Sequence, residues 1–508
     1  MRFAVLLAST AIAGVAGLTI NARLDARSPT PPADLCRQAP PLERLPAELP
    51  PGQQLQSSSY EPLPAPPPPP APPPPPPPPM MAPPAPVADS VSKSVVVTGE
   101  RSRAEAAPVA PPSPVAPPAP PSPEVVASEE MRSMPAPAWQ SPPAGLLTAG
   151  DHDDLLNPRL YARYVWRAAR QLGQSVTGLP RVDTQRVLTV AVEDRAGRPA
   201  PFVPVTVRCA NGASVSYATL ADGKVTLFPD RDRLGTNVTL SAGGARRQVQ
   251  IDGSAGGQMQ TLVIGGSARP VRKLDLMITL DSTGSMGDEI AYLKSELRSI
   301  VGDLSRQYRE LDIRVGVVSY RDEGDDYVTR TLPLTANFDS VQADLDRTRG
   351  DGGGDMPEAM DQALIRATGQ AWRPDAVKVM LLVADAPPHD ELQGRAFAAV
   401  EAARARRVQV VPVAASGVDD RAEYFMRAAA ALTQSRYIFL TDDSGIGNPH
   451  GEPDVDCYVV TRLATSIRRV LASFVSGERL EPLPQEVIRT VGRYDHGKCV
   501  LPPDFTVQ

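Results

Sequence analysis

Three oxygen-rich stretches carry the chemistry of this chain. The first is Asp281-Ser282-Thr283-Gly284-Ser285-Met286, the second Asp351-Gly352-Gly353-Gly354-Asp355-Met356-Pro357-Glu358, and the third Asp385-Ala386-Pro387-Pro388-His389-Asp390. Carboxylates and hydroxyls at this density are the ligands that hard divalent cations select, with water filling the remaining positions. A plainer reading stands beside this one. Ser285 followed by Asp288 also suits a helix N-cap. Glu358 reads as a first-turn helix residue rather than a ligand, and His389 as a loop hydrogen bond or a contact to ligand or anion beside Asp385. The acidic run Tyr320 to Asp326 reads as solvated surface or a second, Ca²⁺-like ion site. The stretch Thr441 to His450 is placed to rim the same edge.

The elements around these stretches decide between the readings. Leu274 to Leu280, Leu311 to Tyr320, Val377 to Val383, Val408 to Val413 and Tyr437 to Leu440 are short apolar runs with the character of buried strands. Helical patterns over Ile290–Leu304, Pro357–Thr368, Ala396–Arg406 and Ala422–Thr433 alternate with them, and Val459–Phe474 reads as a closing amphipathic helix. Such alternation predicts an α/β domain: a doubly wound, mostly parallel sheet with helices on both faces. Open sheets of this kind bind ligands beyond the carboxyl ends of their strands. The first and third stretches each follow a strand, so both fall on that edge.

At this point residues 273–478 resemble the von Willebrand factor type A family. Asp281, Thr283 and Ser285 fall on the three positions of its "D-x-S/T-x-S" metal-ion-dependent adhesion motif, and Asp385 on its third-loop aspartate. The family's second-loop position is a threonine within "G-G-T"; here the triplet is Gly353-Gly354-Asp355, so Asp355 replaces it. The resemblance implies a site for Mg²⁺ (or Mn²⁺ or Ca²⁺) on Asp281, Thr283, Ser285, Asp355 and Asp385. It also implies a non-enzymatic module that binds a protein ligand offering an acidic side chain. A third carboxylate at Asp355 would neutralise more of the ion's charge, tightening metal binding and weakening the pull on an external acid. Alternatively Asp355 acts through water and the site works as usual.

The remaining chain reads as delivery and support. Arg2 followed by the apolar run Phe3 to Ile20 makes residues 1–22 a signal peptide or an uncleaved N-terminal anchor. Most of the 58 prolines precede residue 145, so residues 23–146 read as a disordered Pro-rich stalk. Within it, Ser94-Val95-Val96-Val97-Thr98-Gly99-Glu100-Arg101 resembles the TonB box of outer-membrane receptors, implying strand addition to a partner (a TonB-type contact at 94–101). Residues 147–182 read as a helical segment whose first turn is favoured by Asp151, Asp153 and Asp154; capping by these aspartates is weighed against a metal role. Residues 186–266 alternate as strands of a small antiparallel β-sandwich, similar to carboxypeptidase-regulatory-like and immunoglobulin-like modules. Of the four cysteines, Cys457 and Cys499 are the expected pair, flanking the last helix; closing that loop stabilises by roughly 4 kcal/mol in the chain-entropy model. The alternative is four free thiols. Residues 479–508 are a short tail.

Composition and motifs narrow the function. A net charge of −6 with no clustered basic face argues against nucleic acid. No H-E-x-x-H, G-x-S-x-G or Walker loop occurs, and the four histidines at 152, 389, 450 and 496 lack zinc-finger spacing. The export signal implies the periplasm or cell envelope, with membrane contact only through the N-terminus if it is uncleaved. Two other readings remain: an exported metal-dependent hydrolase with His389 as base, and a structural envelope protein in which an ion only rigidifies the loops.

Overall fold

Strands that are apolar on both faces must be sandwiched between helices, and the computed structural model is built that way. It describes residues 35–48, 147–172, 180–354, 356–445 and 450–506. The signal or anchor segment, the TonB-box-like segment, most of the Pro-rich stretch and Asp355 lie outside the described residues.

The elements run in this order: β1 Thr148–His152, α1 Pro158–Gln171, β2 Leu188–Glu193, β3 Pro204–Cys209, β4 Ser214–Ala218, β5 Lys224–Leu227, β6 Asn237–Ala242, β7 Ala245–Gln250 and β8 Gln258–Val263. The second half continues with β9 Lys273–Asp281, α2 Gly287–Gln307, β10 Asp312–Tyr320, β11 Thr329–Thr335, α3 Phe338–Arg347, α4 Met360–Thr368 and β12 Val377–Ala384. Then come α5 Gln393–Ala405, β13 Val408–Ala414, α6 Asp420–Leu432, β14 Tyr437–Thr441, β15 Tyr458–Arg462, α7 Leu463–Ser476 and β16 Arg489–Val491. A nine-stranded sheet has the order β11-β10-β9-β12-β13-β14-β1-β15-β16. Its centre, β10-β9-β12-β13-β14, is parallel. The flanking strands β11, β1, β15 and β16 pair antiparallel.

Alternation along β9 shows the two layers. Leu274, Leu276, Ile278 and Leu280 share a core with Ile290, Leu293 and Leu297 of α2 and Ile467, Val470 and Leu471 of α7. Met277 points the other way, into a core with Leu364 of α4, Phe397 of α5 and Phe425 of α6. The doubly wound architecture is therefore as expected from the sequence.

Three elements differ from the sequence reading. Residues 147–182 are not simply helical: Thr148–His152, before α1, is an interior strand of the large sheet, between β14 and β15. Its Ala, Gly and Asp carry little β-propensity, so no pattern announces it. Gly150 is required there, because a Cβ would lie 2.6 Å from the Phe439 ring and 2.9 Å from that of Tyr458. The closing helix begins at Leu463, not Val459; Tyr458–Arg462 is a strand, and a short buried apolar run reads equally as either. In the tail, Arg489–Val491 adds the edge strand β16.

Residues 188–263 form two small sheets, β5-β2-β8 and β4-β3-β6-β7. They share a core of Leu188, Val190, Val207, Val225, Leu240 and Leu262. The sheets are not purely antiparallel, since β2 and β8 pair in parallel. This unit docks on α5 through Arg404, whose guanidinium is bidentate to Asp232 at 2.7 and 2.8 Å and donates to Thr226 O at 3.1 Å.

Part of the expected linker is tied down. Cys36 is bonded to Cys209, alongside the expected Cys457–Cys499 bridge. From there residues 35–48 cross the larger domain. Arg37 pairs with Glu401, Leu42 and Leu45 pack on the helical core, Glu43 pairs with Arg395, and Glu48 accepts from Thr331 of β11. Isolated anchors in a Pro-rich segment have no periodicity to read. Among the described residues no helix is long and apolar enough to cross a membrane.

Candidate metal centre

Asp281 is the last residue of β9, where the parallel sheet ends and the chain turns toward α2. Its Oδ1 accepts from the Thr283 backbone N–H at 3.0 Å and the Thr283 hydroxyl at 2.7 Å. Thr283 Oγ1 lies 3.4 Å from Ser285 Oγ. Ser282 fixes the loop from behind, donating its hydroxyl to Tyr320 O at 2.8 Å. Helix α2 starts at Gly287 with Met286 at its N-cap and no side-chain cap bond. Ser285 is thus not the cap of that helix; it lines the same cleft as Asp385, which follows β12.

The glycines of the second loop allow close approach. A Cβ on Gly353 (φ +70°) would sit 3.0 Å from Glu358 Oε1 and 3.2 Å from Thr283 Cβ, and one on Gly352 (φ +75°) would strike the Asp325 carboxylate at 2.5 Å. Thr283, Ser285, Gly352–Gly354, Glu358, Asp385 and Ser416 line one open cleft of about 580 Å³. Asp281, Thr283, Ser285 and Asp385 therefore meet at one place, as their spacing predicts, while Asp355 lies outside the described residues.

The electrostatics of this cleft are one-sided. Asp281 Oδ2, Asp385 Oδ1 and Glu358 Oε2 are buried without a hydrogen-bond partner. Burial, and then the charge of Asp385, push the Asp281 carboxyl far above the usual carboxylate range. Burial also raises Asp385. Glu358 is pushed up to about 9 by burial and by Asp281, Asp322, Asp325 and Asp385. Buried carboxylates are normally neutralised by a cation or a proton. Among the described residues no three His, Cys, Asp or Glu side chains alone make an ion cage. A site here depends on the Thr283 and Ser285 hydroxyls and water as well. The donor set, all oxygen, fits a hard divalent ion.

Glu358 is the residue that sequence reasoning discounted. It is not in the first turn of α4 but ahead of it, where its N–H donates to Pro387 O at 3.0 Å and brings it beside the third loop. Only the fold makes that neighbour visible. His389 lies 2.6 Å from Asp322 Oδ1, so the acidic loop after β10 is partly spent on holding the third loop. Asp325 accepts from Gly353 N at 3.0 Å and holds the second. Asp151 and Asp154 do not gather at this site. Asp151 is held by Arg436 and Arg469, and Asp154 by Arg427 at 2.7 and 3.1 Å. Asp153 accepts from Leu155 N and Leu156 N in the turn ahead of α1. The expected capping of the helix by these aspartates is not what forms: its N-cap is Asn157 and its first turn holds no acid.

Parts of this chain are similar to known proteins. An alpha-protein kinase of Dictyostelium discoideum is 30% identical over 120 residues, 23% of this chain and 19% of the relative. An ariadne-like RING finger protein of Acanthamoeba polyphaga mimivirus is 32% identical over 127 residues, 24% of this chain and 12% of the relative. The chain thus spans under a fifth of the length of each. Among solved structures, an aerotolerance-related membrane protein from Bacteroides fragilis aligns at TM-score 0.26 and 15% identity, over 40% of this chain and 98% of that one. The pilus adhesin SpaC from Lactobacillus rhamnosus GG aligns at 0.27 and 12%, over 43% and 30%. The family model of the von Willebrand factor type A domain matches residues 275–448, the span that builds the mostly parallel sheet and its helices, and this part of the chain is such a domain.

Proposed function

We propose that this domain is a divalent-cation-dependent protein-binding module working outside the cytoplasm. Asp281, Thr283, Ser285 and Asp385 would hold Mg²⁺ (or Mn²⁺ or Ca²⁺), with Asp355 as a further ligand and Glu358 beside them. The ion supplies a positive charge that an acidic side chain of a partner protein can approach. The observation that carries this reading is the set of partnerless buried carboxylate oxygens on Asp281, Asp385 and Glu358, gathered around the cleft that the Thr283 and Ser285 hydroxyls line. Domains of this family generally mediate metal-dependent protein interaction and adhesion. Two disulfides support an oxidising compartment, in keeping with the export-type N-terminus. A TonB-type contact at 94–101 belongs to the same proposal.

The test is calorimetric titration of Mg²⁺, Mn²⁺ and Ca²⁺ into the metal-stripped chain and into an Asp281→Ala, Asp385→Ala double variant. Binding at 1:1 that the variant loses is the expected result. A wild-type chain that binds none of the three ions overturns the proposal. A pull-down of envelope proteins with and without chelator then tests the partner.

A further inference from the structure

A second constellation stands on the same sheet edge. Ser416 follows β13, Asp442 follows the neighbouring strand β14, and His450 lies in the next loop. Ser416 Oγ is 3.0 Å from His450 Nε2, and His450 Nδ1 is 2.7 Å from Asp442 Oδ1. The His450 backbone N–H also donates to Asp442 Oδ1, at 2.9 Å. The imidazole is almost wholly buried, at 3% exposure. A ring nitrogen facing a carboxylate carries the hydrogen, so the lone pair of Nε2 faces the serine hydroxyl.

We propose that Ser416, His450 and Asp442 form an acyl-transfer centre beside the metal cleft, acting on esters of short acyl groups. The chain order Ser, Asp, His and the strand–serine–helix setting (β13, Ser416, α6) are those of nucleophile-elbow hydrolases, reached here without the G-x-S-x-G sequence. The next residue, Gly417, has φ +87° and places a backbone N–H directly after the nucleophile, the position from which an oxyanion is stabilised in that arrangement. Ser416 and Gly417 line the cleft with Ser285, Gly354, Ala386, Met356, Glu358 and Asp385, mostly small side chains and two acids, so an uncharged ester of a small acyl group is the substrate that suits it.

One competitor bears on the hydroxyl. Glu289 Oε1 accepts from the Ser416 hydroxyl at 2.7 Å and from Ser416 N at 2.9 Å. Burial, with Asp288 beside it, keeps the Glu289 carboxyl protonated well above its usual range. A neutral carboxyl is the weaker acceptor, and imidazole can take the proton as the hydroxyl attacks. In the reaction Oγ bonds to the acyl carbon, its proton passes to His450 Nε2, and that proton leaves with the alcohol. Water then hydrolyses the acyl-serine by the same route.

The experiment treats the full chain, with chelator, with a fluorophosphonate, which phosphonylates an activated serine and releases fluoride. Peptide mass spectrometry locates the adduct. Modification at Ser416, slowed about a hundredfold or more in His450→Ala and several-fold in Asp442→Asn, is the expected result. An unmodified wild type that still melts cooperatively overturns the proposal, as does an adduct elsewhere or one formed equally fast in His450→Ala. Because chelator is present throughout, the outcome is independent of whether the metal site binds an ion.

Discussion

Two groups of buried carboxylates sit in the same domain and are treated in opposite ways. Near β1, Asp151 and Asp154 are enclosed by Arg427, Arg436, Arg469 and Arg479. Burial penalises both, yet the arginine charges win, holding Asp151 far below the usual carboxylate range and Asp154 at about 2. At the strand ends of β9 and β12, Asp281, Asp385 and Glu358 are buried with each other, and among the described residues no guanidinium pairs with them; all three are raised. The desolvation cost is shared. What differs is whether the chain supplies its own cations. On the proposed reading the second group takes its cation from solution.

The largest expected effect breaks the first group. Arg427 is fully buried, bonded to Asp154 and Glu423 and stacked 3.7 Å from the Tyr164 ring centroid. Arg427→Ala leaves Asp154 buried without its counter-charge, and a loss of about 3–5 kcal/mol in urea unfolding is expected. Asp281→Asn in the metal-free chain is expected to do the reverse, leaving stability unchanged or higher, because it removes a charge that nothing balances. If both variants lose stability equally, the contrast between the groups fails.

Adding the ion should invert that second result. At Mg²⁺ a hundredfold above its dissociation constant, the wild type should gain about 2.7 kcal/mol, read as a rise in Tm. Asp281→Asn should gain nothing.

The two groups also bend stability with pH in opposite senses. The lowered carboxyl of Asp154 contributes stability that is present above its unfolded value of 3.8 and is lost as pH falls through about 2. Glu358 has its folded value raised from 4.5 to about 9, so the folded chain binds the extra proton between those limits. Its contribution is full below 4.5 and is lost as pH rises toward 9. Chelated protein should therefore lose Tm from pH 5 to 9, and Glu358→Gln should flatten that slope while leaving the acid limb in place. A Glu358→Gln variant with the wild-type slope would remove Glu358 from the uncompensated group.

The sequence announces these groups unequally. Asp281, Thr283, Ser285 and Asp385 are local: each follows an apolar strand, and strand ends fall on one edge by topology. Glu358 is not legible, since the Pro387 carbonyl that fixes it is 29 residues away in the chain and adjacent only in the fold. Asp151 and Asp154 are legible as acids but not as ion pairs, because their arginines come from α6, the residue before β14, α7 and the segment after α7. Strand β1 is invisible for the related reason that its pairing partners, β14 and β15, lie about 300 residues on and its own residues carry no strand pattern. The residues 35–48 hold on by separate contacts, and a Pro-rich composition outweighs them in any reading by window.

The finest distinction concerns how much charge the proposed ion keeps. With two carboxylates, Asp281 and Asp385, a divalent cation is formally neutralised but its hydroxyl and water ligands leave it open to a third acid. On the proposed reading Asp355, at the position where the resemblance puts a threonine, would supply that acid from within the chain. Asp355→Thr should then weaken ion binding, by about tenfold or 1.4 kcal/mol, and strengthen capture of an acidic peptide on the ion-loaded protein. The two changes have opposite signs only if Asp355 competes with the partner for the same charge. Titration of Mg²⁺ followed by titration of a glutamate-containing peptide measures both. Weaker binding of ion and peptide together would instead make Asp355 a simple support of the loop, and the domain would then present its ion as fully as its threonine-bearing relatives do.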